Sequence, residues 1–220
     1  MYLFIKRLGD IFAATVALII LSPILIPIVL ILKFSGEGEI LYLQNRVGFK
    51  NKIFKIWKFA TMLKNSPSIG TGAMTLRNDP RVLPIGKLLR ITKINELPQI
   101  MNVLRGEMSI VGPRPLMPVS FEQYSAAVQA VVYNSKPGIT GIGSLIFRDE
   151  EKLISETDLD PQEYYTRYIF PYKGALETWY QQNQSFWVDF KLIFFTAWNI
   201  VFSNSELYKK SFKALPKRPF

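Results

Sequence analysis

Arg114 stands between Pro113 and Pro115, Glu96 follows Asn95, and three cations, Lys87, Arg90 and Lys93, precede that pair at helical spacing. Cations on both sides of a carboxylate suit a site for a phosphorylated substrate, with or without a divalent metal. All of them fall in one stretch, KLLRITKINELPQIMNVLRGEMSIVGPRP, which spans 87–115. Within it Asn95 is a good helix N-cap, Pro98 is tolerated in a first turn, and Gln99 to Leu104 reads as helix. A helix N-terminus also favours anions, so a phosphate could be held there. The plain structural alternative, a capped amphipathic helix with a solvated basic face, stays open on these residues alone.

The chain of 220 residues is long enough for one domain plus attachments and contains neither cysteine nor histidine. Disulfides, thiolate chemistry, the usual zinc sites and imidazole acid-base catalysis are therefore excluded. Chemistry falls to carboxylates, Lys, Arg, Tyr, Ser or Thr. A net charge of +10 suits phosphorylated ligands, an anionic membrane surface or nucleic acid. No nucleic-acid motif is visible, and the high apolar and aromatic content favours the membrane.

The elements that must position these residues begin with an uncharged run, Ile11 to Leu32. As a helix it would be roughly 33 Å long, against a bilayer core of about 30 Å. Ser22-Pro23 lies in its middle and Pro27 one turn later. Each proline removes a backbone donor, and the Ser22 hydroxyl is the nearest replacement for a freed carbonyl's partner. Lys6 and Arg7 precede the run; Lys33, Arg46, Lys50, Lys52, Lys55 and Lys58 follow it. Basic residues mark the cytoplasmic side, so two basic flanks place both ends on one side, as a bent, re-entrant helix does. A straight single-pass helix is the alternative.

Beyond it, Phe34 to Glu39 reads as a turn, and Glu39 to Val47 and Ile53 to Met62 alternate like the strands of a hairpin. Ser66 to Gly72 reads as a loop and Asn78-Asp79-Pro80 as a turn. Lys87 to Leu104 and Phe121 to Tyr133 are predicted helices. Lys136 to Gly143, KPGITGIG, is glycine-rich but lacks the Lys-Ser/Thr of a nucleotide loop, and alone it reads as a turn. Ser144 to Phe147 is a possible short strand before the acidic Asp149, Glu150 and Glu151. Glu163 to Gln182 is predicted helical with a break near Pro171. In Ser185 to Phe202, Phe186, Phe190, Phe194, Trp198 and Phe202 recur every fourth residue, and Trp187 and Phe195 widen that face. Ser185, Asp189, Thr196, Asn199 and Ser203 gather opposite. That pattern suits a helix lying in the lipid interface, with Lys191 reaching headgroups and the basic end of the chain adding attraction to anionic lipid.

KRLGDIF, Ser22-Pro23, QNRVG, FKIWKF, NDPRVLPIGKLLR, NELPQIMNVLRGEMSIVGPRP and KPGITG together resemble the bacterial sugar transferases that act on polyprenyl phosphate, the monotopic phosphoglycosyl transferases. The resemblance extends to about Ser203 and is to the small, catalytic-domain-only form. It implies a mixed α/β, helix-rich fold. A re-entrant membrane helix broken at Ser22-Pro23 (1–33) would precede a compact cytosolic transferase domain (34–205), with a small hairpin and membrane-surface helices, and a basic tail (206–220). It implies residence on the cytosolic face of the bacterial inner membrane. The implied reaction moves a phospho-sugar from a UDP-sugar to polyprenyl (undecaprenyl) phosphate. Polyprenyl diphospho-sugar and UMP result, and surface glycan assembly begins. The reaction implies Mg2+. The family's Asp-Glu pair, a nucleophile and a metal-binding carboxylate, falls on Asn95 and Glu96. Lys58, Arg90, Arg114, Arg148 and Glu177 fall on substrate-binding positions.

The chain departs from the family at Asn95, a neutral amide and poor nucleophile where Asp forms the covalent intermediate. Ala60 replaces an Arg, SLIFRDEE replaces the usual Q-V-x-G-R-N and retains Arg148, and Glu177 replaces an Asp. Direct attack by polyprenyl phosphate, Glu96 as nucleophile, or a carboxylate from Asp149, Glu150 or Glu151 would each bypass Asn95. Two readings follow from the resemblance: an enzyme, or a non-catalytic relative that binds the same ligands or a partner glycosyltransferase. Nucleic acid is not an expected partner; membrane lipids are, and a homodimer is compatible.

Overall fold

The computed structural model describes residues 1–35, 37–66, 79–202 and 205–220. Gly36, most of the loop expected at Ser66 to Gly72, Asn78 and Ser203 lie outside them. Among the described residues the architecture is mixed and helix-rich: a long apolar N-terminal helix, two small two-stranded sheets and a series of short helices.

Helix α1 covers Tyr2–Phe34 and runs on through Ser22, Pro23 and Pro27. At 1.5 Å per residue it would extend about 50 Å if straight. The expected break at Ser22-Pro23 is therefore not an interruption of the helix. Pro23 cannot donate to the Ile19 carbonyl four residues back, and the Ser22 hydroxyl donates to that same carbonyl at 2.8 Å. One side of α1 packs on the rest of the protein for most of its length. Ala14, Ala17, Leu18 and Leu21 meet Ile56, Ile100, Val103 and Met108. Further along, Leu25, Ile28, Val29 and Leu32 meet Phe59 and Leu89. The other side leaves Phe12, Ile19, Ile20, Ile24, Ile26 and Leu30 exposed.

Strands β1 (Leu41–Val47) and β2 (Ile53–Phe59) form the predicted antiparallel hairpin, Leu41 opposite Phe59 and Val47 opposite Ile53. The single helix expected over Lys87 to Leu104 is three pieces: α2 (Pro84–Ile91), a 3-10 turn (Ile94–Glu96) and α3 (Gln99–Arg105). Lys93, at φ 60°, turns the chain between the first two, a left-handed conformation that a non-glycine residue holds only when its surroundings demand it. Asn95 sits inside the 3-10 turn and caps nothing; Pro98 occupies the N-cap of α3.

Strand β3 (Ser109–Val111) pairs in parallel with β4 (Gly138–Thr140). The glycine-rich segment is thus a strand and not merely a turn. A Cβ on Gly112 would overlap the Lys136 carbonyl, and one on Gly138 the Gly112 nitrogen, so the glycines allow two backbones to touch. The helix expected at Phe121 to Tyr133 is two single turns, α4 (Pro118–Phe121) and α5 (Ala126–Gln129). The strand expected at Ser144 to Phe147 is a short helix, α6 (Ile142–Ile146). Burial of Ile142 and Leu145 on one side favours a helical over a two-residue period.

Helices α7 (Glu150–Ser155) and α8 (Pro161–Tyr164) lead through a π-helical turn (Tyr165–Ile169) into α9 (Phe170–Asn183). The anomaly expected near Pro171 is this wide turn rather than a break. The last long helix, α10 (Phe186–Val201), exposes Phe186, Trp187, Phe190 and Phe194 and buries Asp189, Leu192, Phe195 and Asn199. Phe195 thus leaves the aromatic face and packs on Phe212. Residues 207–220 fold back onto α9 and α10. Tyr172 donates to the Pro216 carbonyl at 2.9 Å, Trp179 to that of Lys213 at 3.1 Å, and Phe220 meets Tyr164 and Tyr172 edge-on. Lys191 donates to the Ser211 carbonyl.

Polar residues of α1 tie it to the interior. Arg7 donates to the Val103 and Leu104 carbonyls at the end of α3, and buried Asp10 accepts from the Ile110 amide in β3 at 3.0 Å. Lys6 and Tyr2 reach Asp189 of α10.

Candidate active site

The loop that carries Arg114 has every backbone hydrogen-bonding group from 113 to 116 satisfied. Its two prolines have no amide hydrogen. Arg114 donates through its amide to Glu177 Oε1 at 3.4 Å, and Leu116 donates to the Tyr133 hydroxyl at 2.8 Å. The four carbonyls accept in turn from the Gly138 amide, the Tyr133 hydroxyl, Arg46 and the Val47 amide. Tyr133 thus grips both sides of Pro115, and the loop is fixed before any ligand arrives.

From this loop Arg114 reaches Glu96. Its Nη2 lies 3.1 Å from Glu96 Oε1, and Lys58 Nζ from the neighbouring β2 lies 3.1 Å from the same oxygen. Three segments distant in sequence therefore converge on one carboxylate. Asn102 of α3 sets their register. Fully buried, it accepts from the Trp57 amide at 3.0 Å and donates to the Lys55 carbonyl at 2.8 Å. Its pairing with the backbone of β2 holds the 3-10 turn bearing Glu96 beside Lys58.

Burial alone would raise the Glu96 carboxyl, but Lys58, Arg114 and Lys93 more than offset it and hold the group well below the usual carboxylate range. Burial, together with Arg46 and Arg114, pushes the Lys58 amine down to about 8 despite Glu96. Burial and Arg114 lower Arg46 to about 10. Glu96 raises Arg114. One carboxylate among three close cations leaves the site with an unmet demand for negative charge, which a phosphate supplies.

Asn95 adjoins Glu96 in the same 3-10 turn, and the other residues named from the sequence stand on separate elements. Asn95 is buried with its Oδ1 unpartnered. Arg90 ends α2, where its charge helps to lower the Asp79 carboxyl beneath the larger effect of Arg81. Arg148 follows α6 and keeps one buried guanidinium nitrogen without a partner. Glu177, on α9, is raised by burial to about 8, its Oε2 unpartnered and its Oε1 so close to Gly143 that a Cβ there would overlap it. Glu150, one of three acidic residues considered as a replacement nucleophile, is ion-paired with buried Lys173, which also lies over the rings of Phe147 and Tyr165. Ser22 and Pro23 lie on α1, in the helix that packs along the hairpin.

Arg46, Tyr133 and Asn102 were not singled out from sequence. Asn102 left a signal, a polar residue inside an apolar helical run. Arg46 left one too, as the arginine of QNRVG, whereas Tyr133 left none, because its role depends on two backbone groups meeting at Pro115. For a divalent cation, the Glu96 carboxylate and the Asn95 Oδ1 are adjacent in sequence and are hard oxygen donors of the kind Mg2+ takes. Among the described residues no group of three or more acidic, His or Cys side chains is gathered for a metal. A bound Mg2+ would therefore draw its remaining ligands from substrate phosphates and water.

A sequence model described as "Bacterial sugar transferase" matches residues 1–203. The chain is 35% identical to the Exopolysaccharide production protein ExoY of Rhizobium meliloti over 206 residues, 87% of this chain and 83% of that protein. It is 36% identical to the UDP-glucose:undecaprenyl-phosphate glucose-1-phosphate transferase of Klebsiella pneumoniae, covering 92% of this chain and 41% of that one. With the UDP-N-acetylgalactosamine-undecaprenyl-phosphate N-acetylgalactosaminephosphotransferase of Aeromonas hydrophila it shares 33% identity, over 91% of this chain and 44% of that one. The chain thus spans most of one relative and less than half the length of the other two.

Proposed function

This chain belongs to the bacterial sugar transferase family, and from that premise we propose that it transfers a sugar 1-phosphate from a UDP-sugar to undecaprenyl phosphate, releasing UMP. The observation that carries the reading is the Glu96 carboxylate held at 3.1 Å by Lys58 of β2 and by Arg114, whose own loop has every backbone group from 113 to 116 hydrogen-bonded. A diphosphate entering there meets Lys58, Arg114 and Arg46 and needs no rearrangement of the backbone. The names of the relatives give no support to a non-catalytic reading.

The covalent route of the family is closed to the Asn95 amide. An oxygen of undecaprenyl phosphate therefore attacks the β-phosphorus of the UDP-sugar directly. The bond from that phosphorus to the bridging oxygen of UMP breaks, and UMP leaves with the electron pair. Arg114 and Lys58 meet the charge that develops on the phosphoryl and leaving oxygens. Asn95 lies buried in the same 3-10 turn as Glu96, with its Oδ1 unpartnered. Mg2+, held by Glu96 and the Asn95 amide oxygen, would add Lewis-acid neutralisation of the diphosphate.

The acceptor is a lipid, which fits the apolar outer side of α1. Because α1 touches the same domain from Asp10 to Leu32, its middle is not free to stand alone across a bilayer. That supports embedding from one face, the inner membrane's cytosolic side by the basic flanks. The exposed aromatic face of α10 suits the lipid interface. The test is UMP release in detergent from a panel of UDP-sugars with undecaprenyl phosphate and Mg2+. Sequential kinetics are expected of the unmodified chain and ping-pong kinetics of Asn95→Asp. No UMP from any sugar nucleotide would overturn the reading.

A further inference from the structure

A cavity of about 480 Å3 lies between the α6–α7 segment and the folded-back C-terminal residues, lined by Arg148, Glu150, Asn199, Tyr208 and Arg218 among others. Its size is within the roughly 300–1,000 Å3 of small-molecule sites. It adjoins the catalytic centre through α9: Glu150 pairs with Lys173, one turn before Glu177, whose Oε1 accepts from the Arg114 amide. Two of its lining residues keep buried polar atoms without partners: an acceptor, Asn199 Oδ1, and a donor, a guanidinium nitrogen of Arg148. Such atoms are costly unless water or a ligand meets them.

We propose that this cavity is the subsite for the sugar ring of the nucleotide sugar, and that Asn199 and Arg218 discriminate among sugars. The inference rests on the transferase reading above. Three of its four carboxylates are already ion-paired, Glu150 with Lys173, Glu156 with Lys152 and Glu206 with Lys209, so the lining is close to charge-balanced and suits a neutral, hydroxyl-rich ligand. A hydroxyl both donates and accepts, so one ring can answer the Asn199 acceptor and the Arg148 donor together. The sugar is bonded to the β-phosphate, so its pocket must adjoin the residues that hold the diphosphate, as this one does. Tyr208 and Arg218 lie beyond residue 203, where the family match ends. That part of the wall thus lies outside the matched sequence, while Asn199 and Arg148 lie within it.

The test is calorimetric binding by the full-length protein in nanodiscs, comparing UDP with UDP-glucose, UDP-galactose and UDP-N-acetylgalactosamine. At least one UDP-sugar should bind about tenfold tighter than UDP, the weight of one or two hydrogen bonds. Asn199→Leu and Arg218→Gln should each erase that advantage and leave UDP affinity unchanged. Arg218 is exposed, so its variant decides the matter if Asn199→Leu loses its thermal transition. The subsite is overturned if no UDP-sugar outbinds UDP, if the advantage survives in the variants, or if they weaken UDP and UDP-sugars alike. Sugar-dependent binding without UMP release would instead overturn the transferase reading and leave the subsite standing.

Discussion

Arg114 and Glu96, eighteen residues apart in sequence, share a contact of 3.1 Å on the oxygen that also receives Lys58. The carboxylate balances two of the cations that a diphosphate must meet. Glu96→Gln removes that charge and leaves Lys58 and Arg114 unopposed; Arg114→Lys keeps charge but loses the planar fork. Each should lower the rate of UMP release by about 100-fold or more, the scale of losing one preorganised electrostatic partner. Steady-state kinetics at saturating UDP-sugar would check it, and retention of more than half the rate would refute the assignment.

The amine of Lys58 is pushed down to about 8 by burial and by the neighbouring Arg46 and Arg114. It carries its charge below that pH and loses it above. The KM for the UDP-sugar should therefore rise as pH passes through about 8. In Lys58→Arg, whose guanidinium stays charged, the rise should move to higher pH. A profile from pH 6 to 10 on both proteins decides it.

Glu177 has the opposite sign. Its folded-state value is raised to about 8, whereas an unfolded carboxyl titrates near 4.3. Between those values the folded protein binds more protons, so stability is fullest below the lower value and falls until about pH 8. Glu177→Gln, which mimics the neutral acid and still accepts from the Arg114 amide, should abolish that slope. Thermal unfolding between pH 4 and 9 is the measurement, and parallel curves for the two proteins would contradict it.

Asn102 answers two backbone groups of β2 from a fully buried position. Asn102→Leu leaves both unpaired, at a cost of about 2–6 kcal/mol for two buried polar groups. The loss should appear as a lower unfolding midpoint together with reduced activity, since the same bonds hold Glu96 beside Lys58.

Ser22 donates to the Ile19 carbonyl that Pro23 cannot serve. Ser22→Ala should lower the unfolding temperature in nanodiscs, corresponding to roughly 1 kcal/mol, and Ser22→Thr should restore it.

Much of the site was legible in the residues. Glu96, Lys58 and Arg114 stand in motifs dense enough to name a family, and the hairpin followed from two-residue alternation. The helices were less legible where local chemistry was overruled. A periodic run from Lys87 to Leu104 reads as one helix, yet Lys93 adopts a left-handed turn and Asn95 enters a 3-10 turn rather than a cap. Ser144 to Phe147 is too short for periodicity to separate strand from helix.

The sequence by itself determined the chemical inventory: no thiol or imidazole, an apolar N-terminal helix with a proline and its compensating serine, and cations around one carboxylate. Only the tertiary structure decided which of those cations share the carboxylate. It likewise decided that Tyr133 and Arg46 lock the loop of Arg114, and that residues 207–220 fold back as one wall of a cavity. The physical reason is that periodicity and capping act over a few residues. A backbone carbonyl at Pro115 finds its partner sixty-nine positions away, and which groups meet there is settled by packing of the whole chain.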